Sequence, residues 1–341
     1  MSAAEAQSTI AKQIDVIRCP EHGPDVFTNT SQLWRPGARG IFGGFAIAQS
    51  LRAAQQTMRE EFVAHSLHGS FVYAGNSDIP IFYHVERVRD GRGFCTRSVR
   101  AIQGGRPVFI SVISFARKGL LTDGNPENLQ HSVPIPAGIP EPAEGYTETD
   151  ISHLPFINSS VGVLASGNRD GAEETRIHQW IRASGSLPPT ASHHIHQAAL
   201  AFMSDSYFLA AVPHSHGIWH FVNTPVSEFY PSAKGLSAGS EMHTTIRRPH
   251  LETPGVERND GERRISIMVS LDHTMYFHNV DLLRADEWLL SEVQSSWAGD
   301  ERGLVQQRMW TKDGKLVATC IQEGVIRLQN GQEKAHKTSH L

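Results

Sequence analysis

Hydrophobic and polar positions along the chain form two periodic halves, each with a helical pattern followed by strand-like runs. In the first half, Ile47, Leu51, Ala54 and Met58 recur at offsets of four, seven and eleven after Gly43-Gly44. This spacing predicts one apolar face of a helix. The runs that follow are rich in Val, Ile, Phe and Tyr, which favours strands. The predicted strands of this half are 67–73, 81–88, 94–102 and 108–116.

The second half repeats the same order of elements. A helix is predicted over residues 195–208, from apolar positions such as Ile195, Leu200 and Met203. Gly104-Gly105 and Asp313-Gly314 separate the last two predicted strands of their respective halves, and such dipeptides favour tight hairpin turns. The predicted strands of the second half are 266–277, 288–293, 303–311 and 315–327.

Local sequences also correspond between the halves. The stretch from His68 corresponds to that from His273 at an offset of 205 (273 minus 68), and Arg92-Gly93 corresponds to Arg302-Gly303 at 210 (302 minus 92). Constant order and nearly constant offset indicate an internal duplication; two unrelated segments that look alike by chance are the alternative. The predicted class is α+β, with two long helices each wrapped by a curved antiparallel sheet, and a crevice between the two units.

Between Gly119 and Pro155 the periodic pattern is lost and prolines accumulate among Gly, Glu, Thr and Asn. Proline fixes φ and removes a backbone donor, so this segment is predicted to be an extended linker or a surface loop. The predicted organisation is a first module at 1–118, a linker at 119–175, a second module at 176–330 and a tail at 331–341.

Composition excludes several classes of function. With 341 residues, 39% hydrophobic and 19% charged, the chain can bury a large core, and a formal net charge of −4 gives no electrostatic reason to expect nucleic acid or an anionic membrane as partner. Three distant cysteines without CxxC spacing fit a reducing compartment. No apolar run is long enough for a membrane span, and the first 14 residues contain no signal-peptide core. We therefore expect a soluble intracellular protein.

Several separated motifs make the chain similar to the acyl-CoA thioesterase II family, which includes peroxisomal thioesterases. They include RGIFGG at 39–44, HSLHGSF at 65–71, LDHTMYFH at 271–278 and QEGVIR at 322–327, and the resemblance extends over about 33–115 and 177–327. This resemblance implies a double hot-dog fold and the hydrolysis of acyl-CoA to a fatty acid and coenzyme A.

The resemblance also implies a catalytic group made of an acid on the second helix, a hydroxyl on the following strand and a glutamine on the last strand. Matched by position, these are Asp205, Ser270 and Gln322. Serine replaces the threonine of the family pattern, which keeps the hydroxyl but loses the methyl that restrains its rotamer. The acid can accept a proton from a water molecule, and the hydroxyl and the amide can hold that water in place by hydrogen bonds. Such a group can hydrolyse a thioester without metal or organic cofactor. We expect one active site per chain.

Other signals leave alternatives open. Gly235-Leu236-Ser237-Ala238-Gly239 matches the GxSxG pattern of serine hydrolases, but the residues before it do not read as the strand that such an elbow needs. Among 19 histidines, the group at 193–196 has no established zinc spacing, so no metal is predicted. A non-catalytic acyl-CoA-binding protein is a further alternative, as is a related hot-dog dehydratase, although no His/Asp hydratase arrangement is evident.

The chain ends in Ser339-His340-Leu341. This tripeptide resembles the Ser-Lys-Leu peroxisomal address, which a receptor reads at the C-terminus. We therefore expect recognition by the peroxisomal import receptor and a place in the peroxisomal matrix, or in the cytoplasm if the tripeptide is not read. Self-association is also expected, because hot-dog sheets commonly pair.

Overall fold

The computed structural model describes residues 9–33, 40–119, 129–142, 155–164, 171–188, 190–218 and 263–330. Within these ranges lie four α-helices, which are α1 (Thr9–Ile14), α2 (Gly43–Gln55), α3 (His193–Ser204) and α4 (Ala211–Ser215). Short 3-10 turns occur at Pro20–His22, Ala172–Glu174 and Val280–Leu282. In the described part of the chain, no helix combines the length and apolarity that crossing a bilayer would take.

The strands of the described residues form one antiparallel sheet of thirteen strands. The first half supplies β1 (Val16–Arg18), β2 (Val26–Asn29), β3 (Phe62–Phe71), β4 (Phe82–Asp90), β5 (Phe94–Gln103) and β6 (Arg106–Arg117). The second half supplies β7 (Phe156–Leu164), β8 (Arg176–Ala183), β9 (Arg263–Ser270), β10 (Asp272–Phe277), β11 (Leu289–Gly299), β12 (Arg302–Thr311) and β13 (Leu316–Asn330).

Strand order shows the same arrangement on both sides of a central seam. The sheet runs β1-β2-β4-β5-β6-β3-β10-β13-β12-β11-β8-β7, with β9 paired to β13 beside this path. The first half thus places β3 at the centre and the second half places β10 there, and the two strands pair across the seam. The repeated order and the continuous sheet confirm the predicted double hot-dog fold of the α+β class.

One predicted correspondence between the halves is wrong, because the two residues lie on opposite faces of the pleated sheet. His68 on β3 is exposed, whereas His273 on β10 has 0% exposure and faces the core. Neighbouring residues of a strand point to opposite faces, so structurally equivalent residues must share a face. The offset of 205 thus pairs two positions that lie on opposite sides of the sheet, although the order of elements does repeat.

The core lies where α2 and α3 pack against each other inside the curved sheet. Phe45 and Phe202 meet edge to face with ring centroids 5.0 Å apart, and both are fully buried. Leu51 and Leu200 are also fully buried on the two helices. Burying one such side chain contributes about 1.5–3 kcal/mol, so the paired helices supply a large part of the folding free energy.

The predicted hairpins are confirmed, and several predicted boundaries are wrong. Gly104 and Gly105 turn between β5 and β6 with φ of 53° and 77°, and Gly314 turns between β12 and β13 with φ of 83°. The strand predicted at 266–277 is two strands that break at Leu271, which lets the chain leave β9 and join β10. Helix α2 ends before Met58, and α3 ends before residue 208.

The predicted linker at 119–175 contains strand β7 (Phe156–Leu164), which pairs with β8 and extends the sheet of the second half. Its small and polar residues hid its strand character. Residues 129–142 run along the second half as a strap, because the indole N–H of Trp180 donates to Pro140 O at 2.8 Å and that of Trp310 donates to Val133 O at 3.0 Å. Lys312 and Glu141 add an exposed ion pair.

Candidate active site

A cavity of about 720 Å³ opens at the seam between the two halves. The first half lines it with residues around the start of α2 and the end of β3, including Phe42 and Phe71. The second half lines it with the turn after α3 and the end of β9, including Phe208 and Leu209. The walls are therefore largely apolar, and polar groups are concentrated at one end.

Asp205 lies at that polar end, one residue beyond the last residue of α3. The sequence predicted it within the helix, whereas it is the C-cap residue, so its carboxylate leaves the helix axis and reaches the start of α2. There the backbone N–H groups of Gly43 and Gly44 donate to it. Burial raises the pKa of Asp205 to about 7, and bonds from Gln322 and the two glycines lower it by smaller amounts.

Ser270 and Gln322 complete the arrangement that the sequence predicted. Ser270 is the last residue of β9, and Gln322 lies on β13 with 0% exposure. Gln322 Nε2 donates to Asp205 Oδ1 at 3.3 Å and to Ser270 Oγ. One amide thus joins the acid and the hydroxyl, and all three side chains line the cavity.

The glycine pair at the start of α2 allows the two halves to approach each other this closely. A Cβ atom at Gly43 would lie 2.7 Å from Asp205 Oδ2 and 2.9 Å from the Phe71 ring. A Cβ atom at Gly44 would lie 2.5 Å from the carbonyl oxygen of Phe202. Glycine at both positions therefore permits the close packing at the start of α2. The sequence did not reveal that their amides bond to Asp205, because that contact joins residues of different halves.

A carboxylate at a helix start is stabilised by the free N–H groups and the helix dipole. In Asp205 this stabilisation is opposed by burial, so the acid is partly deprotonated near neutral pH. A base with such a pKa can both accept a proton and return it. Ser270 Oγ accepts from Gln322, which leaves its own hydroxyl proton for a further acceptor.

The remaining candidates do not join this group. His194 Nε2 donates to Phe62 O at 2.7 Å, and His196 Nδ1 accepts from Ala285 N at 3.2 Å, so these histidines are structural. Across the described ranges, no three metal-binding side chains of His, Cys, Asp or Glu come close enough to hold an ion. Ser237 with its GxSxG motif and the tripeptide Ser339-His340-Leu341 lie outside the described residues.

Sequence reasoning missed a strained residue beside the acid. Tyr207 has φ of 57°, a left-handed conformation that bulky residues seldom adopt. Tyr207 lines the cavity, and its hydroxyl pairs with His214 Nδ1. Burial lowers the pKa of His214 to about 3, so the imidazole is neutral at physiological pH. Nothing in the local sequence marks this turn, since glycine or asparagine would be the usual residue there.

The fold is that of a hot-dog protein, and the site supplies an acid, a hydroxyl and an amide at the end of an apolar cavity, as a hydrolase of apolar substrates requires. A family model described as the acyl-CoA thioesterase N-terminal domain matches residues 30–116, and one described as the acyl-CoA thioesterase C-terminal domain matches residues 136–326. The chain belongs to the acyl-CoA thioesterase II family, whose members hydrolyse acyl-CoA thioesters.

Individual relatives agree with this assignment. The chain is 33% identical over 320 residues to human acyl-coenzyme A thioesterase 8, covering 87% of this chain and 83% of that protein. It is 25% identical over 322 residues to peroxisomal acyl-coenzyme A thioester hydrolase 1 of Saccharomyces cerevisiae, covering 85% and 86%. The crystal structure of an acyl-CoA thioesterase II from Mycobacterium marinum matches with a TM-score of 0.65 and 25% identity, covering 95% of this chain and 99% of that one.

Proposed function

We propose that Asp205, Ser270 and Gln322 hydrolyse the thioester by activating one water molecule at the polar end of the cavity. The observation that carries this proposal is the pair of bonds from Gln322 Nε2, which hold the acid and the hydroxyl on the same side of one amide. Two anchored acceptors can orient a water molecule between them, and orientation is a large part of the rate gain in such reactions.

In the proposed reaction, Asp205 accepts a proton from water while the water oxygen attacks the thioester carbonyl carbon. The tetrahedral intermediate collapses, the carbon–sulfur bond breaks, and the thiolate of coenzyme A takes up the proton that Asp205 holds. The products are a carboxylic acid and the free thiol. Ser270 and Gln322 neither gain nor lose protons overall; they hold the water and the carboxylate in line.

The acyl chain is proposed to lie along the apolar part of the cavity. Ile41, Phe42 and Phe71 of the first half face Phe208 and Leu209 of the second half across it. Apolar walls with a few polar groups at one end are typical of sites for amphipathic small molecules. A panel of acyl-CoA substrates of increasing length, assayed by thiol release, measures the chain length that this cavity accepts.

Oxygen labelling combined with a search for an acylated peptide tests direct attack by water, because hydrolysis of an acyl-serine would also place one heavy oxygen in the product. In a single turnover with palmitoyl-CoA in H₂¹⁸O, the palmitate should carry one heavy oxygen, and no acylated peptide containing Ser270 should be found by mass spectrometry. Trapped acyl-Ser270 would replace the proposal by a covalent mechanism. Labelling of Ser237 by a fluorophosphonate, with loss of turnover, would favour a serine hydrolase instead.

We further propose that the protein acts on fatty acyl-CoA in the peroxisome, through recognition of Ser339-His340-Leu341 by the import receptor. Support comes from the resemblance of the tripeptide to a peroxisomal address and from the yeast relative whose name includes that organelle. A fluorescent fusion that ends in the native tripeptide should enter peroxisomes. The matched fusion that lacks Leu341 should stay diffuse, and equal distribution of the two would reject the proposal.

Self-association is likewise a proposal. Ile110, Val112 and Tyr276 lie exposed on the outer face of the sheet beside the seam. Apolar residues exposed together on a sheet favour contact with another protein surface. Light scattering after size exclusion should give a mass above that of one chain, 37.6 kDa, and Val112→Asp should reduce it.

A further inference from the structure

A buried histidine lies directly behind the proposed catalytic amide. Strand β10 pairs with β13 so that Thr274 is opposite Ile321, and the next step of this antiparallel register brings His273 beside Gln322. Both side chains have 0% exposure and share the inward face of the sheet. Opposite residues of neighbouring strands have Cβ atoms about 4.5–5.5 Å apart, so their side chains are in contact range.

The imidazole also reaches the helix that carries the acid. His273 Nε2 lies 3.0 Å from Ser204 Oγ, and Ser204 directly precedes Asp205. His273 therefore touches the residue next to the proposed base on one side and the proposed amide on the other. It joins the end of α3 to β13 behind the cavity without reaching the cavity lining.

Two buried atoms in this cluster are unpaired. Among the described residues, neither His273 Nδ1 nor Gln322 Oε1 has a hydrogen bond of good geometry, although the two side chains interact strongly enough that Gln322 raises the pKa of His273 against the larger lowering by burial. Buried polar atoms are almost always paired, because an unpaired one loses its hydration without compensation. One proton on Nδ1 satisfies both atoms at once.

The neighbouring serine permits that tautomer. The hydroxyl proton of Ser204 can reach Ala201 O at 2.9 Å or His273 Nε2 at 3.0 Å. When it turns to Nε2, the imidazole accepts there and donates from Nδ1. With the proton on Nε2 instead, Nδ1 and Gln322 Oε1 would face each other as two buried acceptors. Burial lowers the pKa of His273 to about 4, so the ring carries a single proton at neutral pH.

We propose that His273 is a positioning residue whose Nδ1–H donates to Gln322 Oε1 and thereby keeps Nε2 of the amide directed at Asp205 and Ser270. This inference rests on the catalytic role of the three residues proposed above. Without the bond, the amide can turn over and present its oxygen to the carboxylate of Asp205, so that acid and hydroxyl lose their common donor.

Two near-isosteric variants separate positioning from general packing. In His273→Asn the side-chain amide can donate from the place of Nδ1, whereas His273→Gln reaches the place of Nε2 and keeps only the contact with Ser204. We expect His273→Gln to lower kcat by about tenfold or more with KM little changed, and His273→Asn to restore much of the loss. Equal losses that follow the loss of thermal stability in both variants would overturn the proposal.

A double-mutant cycle supplies the second readout. In the background Gln322→Ala there is no amide to hold, so His273→Gln should cause almost no further loss of kcat. Additive losses would show that His273 acts independently of Gln322 and would reject its positioning role. The cycle measures the coupling between His273 and Gln322, so additive losses can reject the positioning role even where Asp205→Ala confirms the base. Coupling can be detected only if Gln322 itself contributes to turnover.

The tautomer is observable without any assay of activity. Nitrogen-15 NMR of the neutral imidazole distinguishes protonated Nδ1 from protonated Nε2, and a difference spectrum against His273→Gln identifies the signal among the other histidines. The proposal requires protonated Nδ1 at neutral pH. Protonated Nε2 would reject it, whatever the outcome for the hydrolysis mechanism.

Discussion

The surroundings of the two ends of α2 differ in their chemistry. At one end, the start of α2 meets the end of α3, and Asp205 faces a cavity together with Ser270 and Gln322. Near the other end, just beyond α2, the fully buried guanidinium of Arg97 donates to Thr57 Oγ1 at 2.8 Å and to Asp90 Oδ1 at 2.5 Å.

This difference agrees with the prediction of one active site per chain in a duplicated fold. Close approach at the first end depends on two residues without side chains, and it leaves a buried acid next to open space. At the second end a long charged side chain fills the space and its hydrogen bonds are satisfied, which favours stability over chemistry. We call these the catalytic end and the filled end. The following experiments test whether activity depends on the first alone.

Removing the acid is expected to have the largest effect. Asp205→Ala should lower kcat by about a hundredfold or more in a thiol-release assay, because Asp205 is the one carboxylate among the described residues that line the cavity with Gln322. The matched change at the filled end is Thr57→Ala, which removes one of the acceptors of Arg97 and should cost about 1 kcal/mol of unfolding free energy while kcat is unchanged. Near-normal turnover of Asp205→Ala would reject the assignment of the base.

Adding one methyl group at the catalytic end is expected to have the second largest effect. Gly43→Ala introduces a Cβ atom 2.7 Å from Asp205 Oδ2 and should lower kcat by about tenfold or more, since the carboxylate must move. As a control, Gly104→Ala puts a methyl group into open space at a left-handed turn of the first half. It should lower the melting temperature with kcat preserved. If Gly104→Ala lowered kcat and Gly43→Ala did not, the prediction that activity depends on the catalytic end would be wrong.

The pH dependence of kcat/KM is expected to show a smaller difference between the two ends. Asp205 must be deprotonated to accept a proton, and burial raises its pKa to about 7. We therefore expect kcat/KM to rise with pH through about 7 and then level off. Gln322→Ala removes a bond that lowers this pKa, so its residual activity should rise at higher pH, whereas Thr57→Ala should leave the profile in place. A flat profile from pH 5 to 9 would contradict the proposed base.

The smallest expected effect concerns the hydroxyl. Ser270→Thr restores a β-methyl that restricts rotation about χ1, so the hydroxyl should keep its orientation towards Gln322 more often and kcat should rise a fewfold. Ser270→Ala should lower kcat. If Ser270→Ala equals the unmodified protein, the hydroxyl has no part in holding water, and the catalytic end reduces to the acid and the amide.

Periodicity predicted β5 because its alternating pattern reflects burial directly. It also predicted α2 from one apolar stripe, although α2 is buried on nearly every face. It missed β7, in which the polar residues 158–160 and Gly162 interrupt the apolar residues of the sequence. It joined β9 to β10 because the bend at Leu271 carries no glycine or proline. The three proposed catalytic residues came from resemblance to a family. Each is an ordinary residue in its own segment, and only the fold brings them together.

Contacts between halves were the least predictable. The bonds from Gly43 and Gly44 to Asp205 depend on how the two modules meet, which no local pattern encodes. The neighbourhood of His273 depends on how α3, β10 and β13 meet within the second half. The pleat correction at His68 shows the same limit, because a similarity of sequence can be one residue out of step with the sheet.

The strap at 129–142 has a consequence for the covalent continuity of the chain. It is fastened to the second half by Trp180 and Trp310, while β3 and β10 join the halves through backbone hydrogen bonds. The peptide bonds between residues 119 and 129 are therefore not needed to keep the two halves associated. A protein cut there should migrate as one species and, if expressed as two fragments, should reassemble from them.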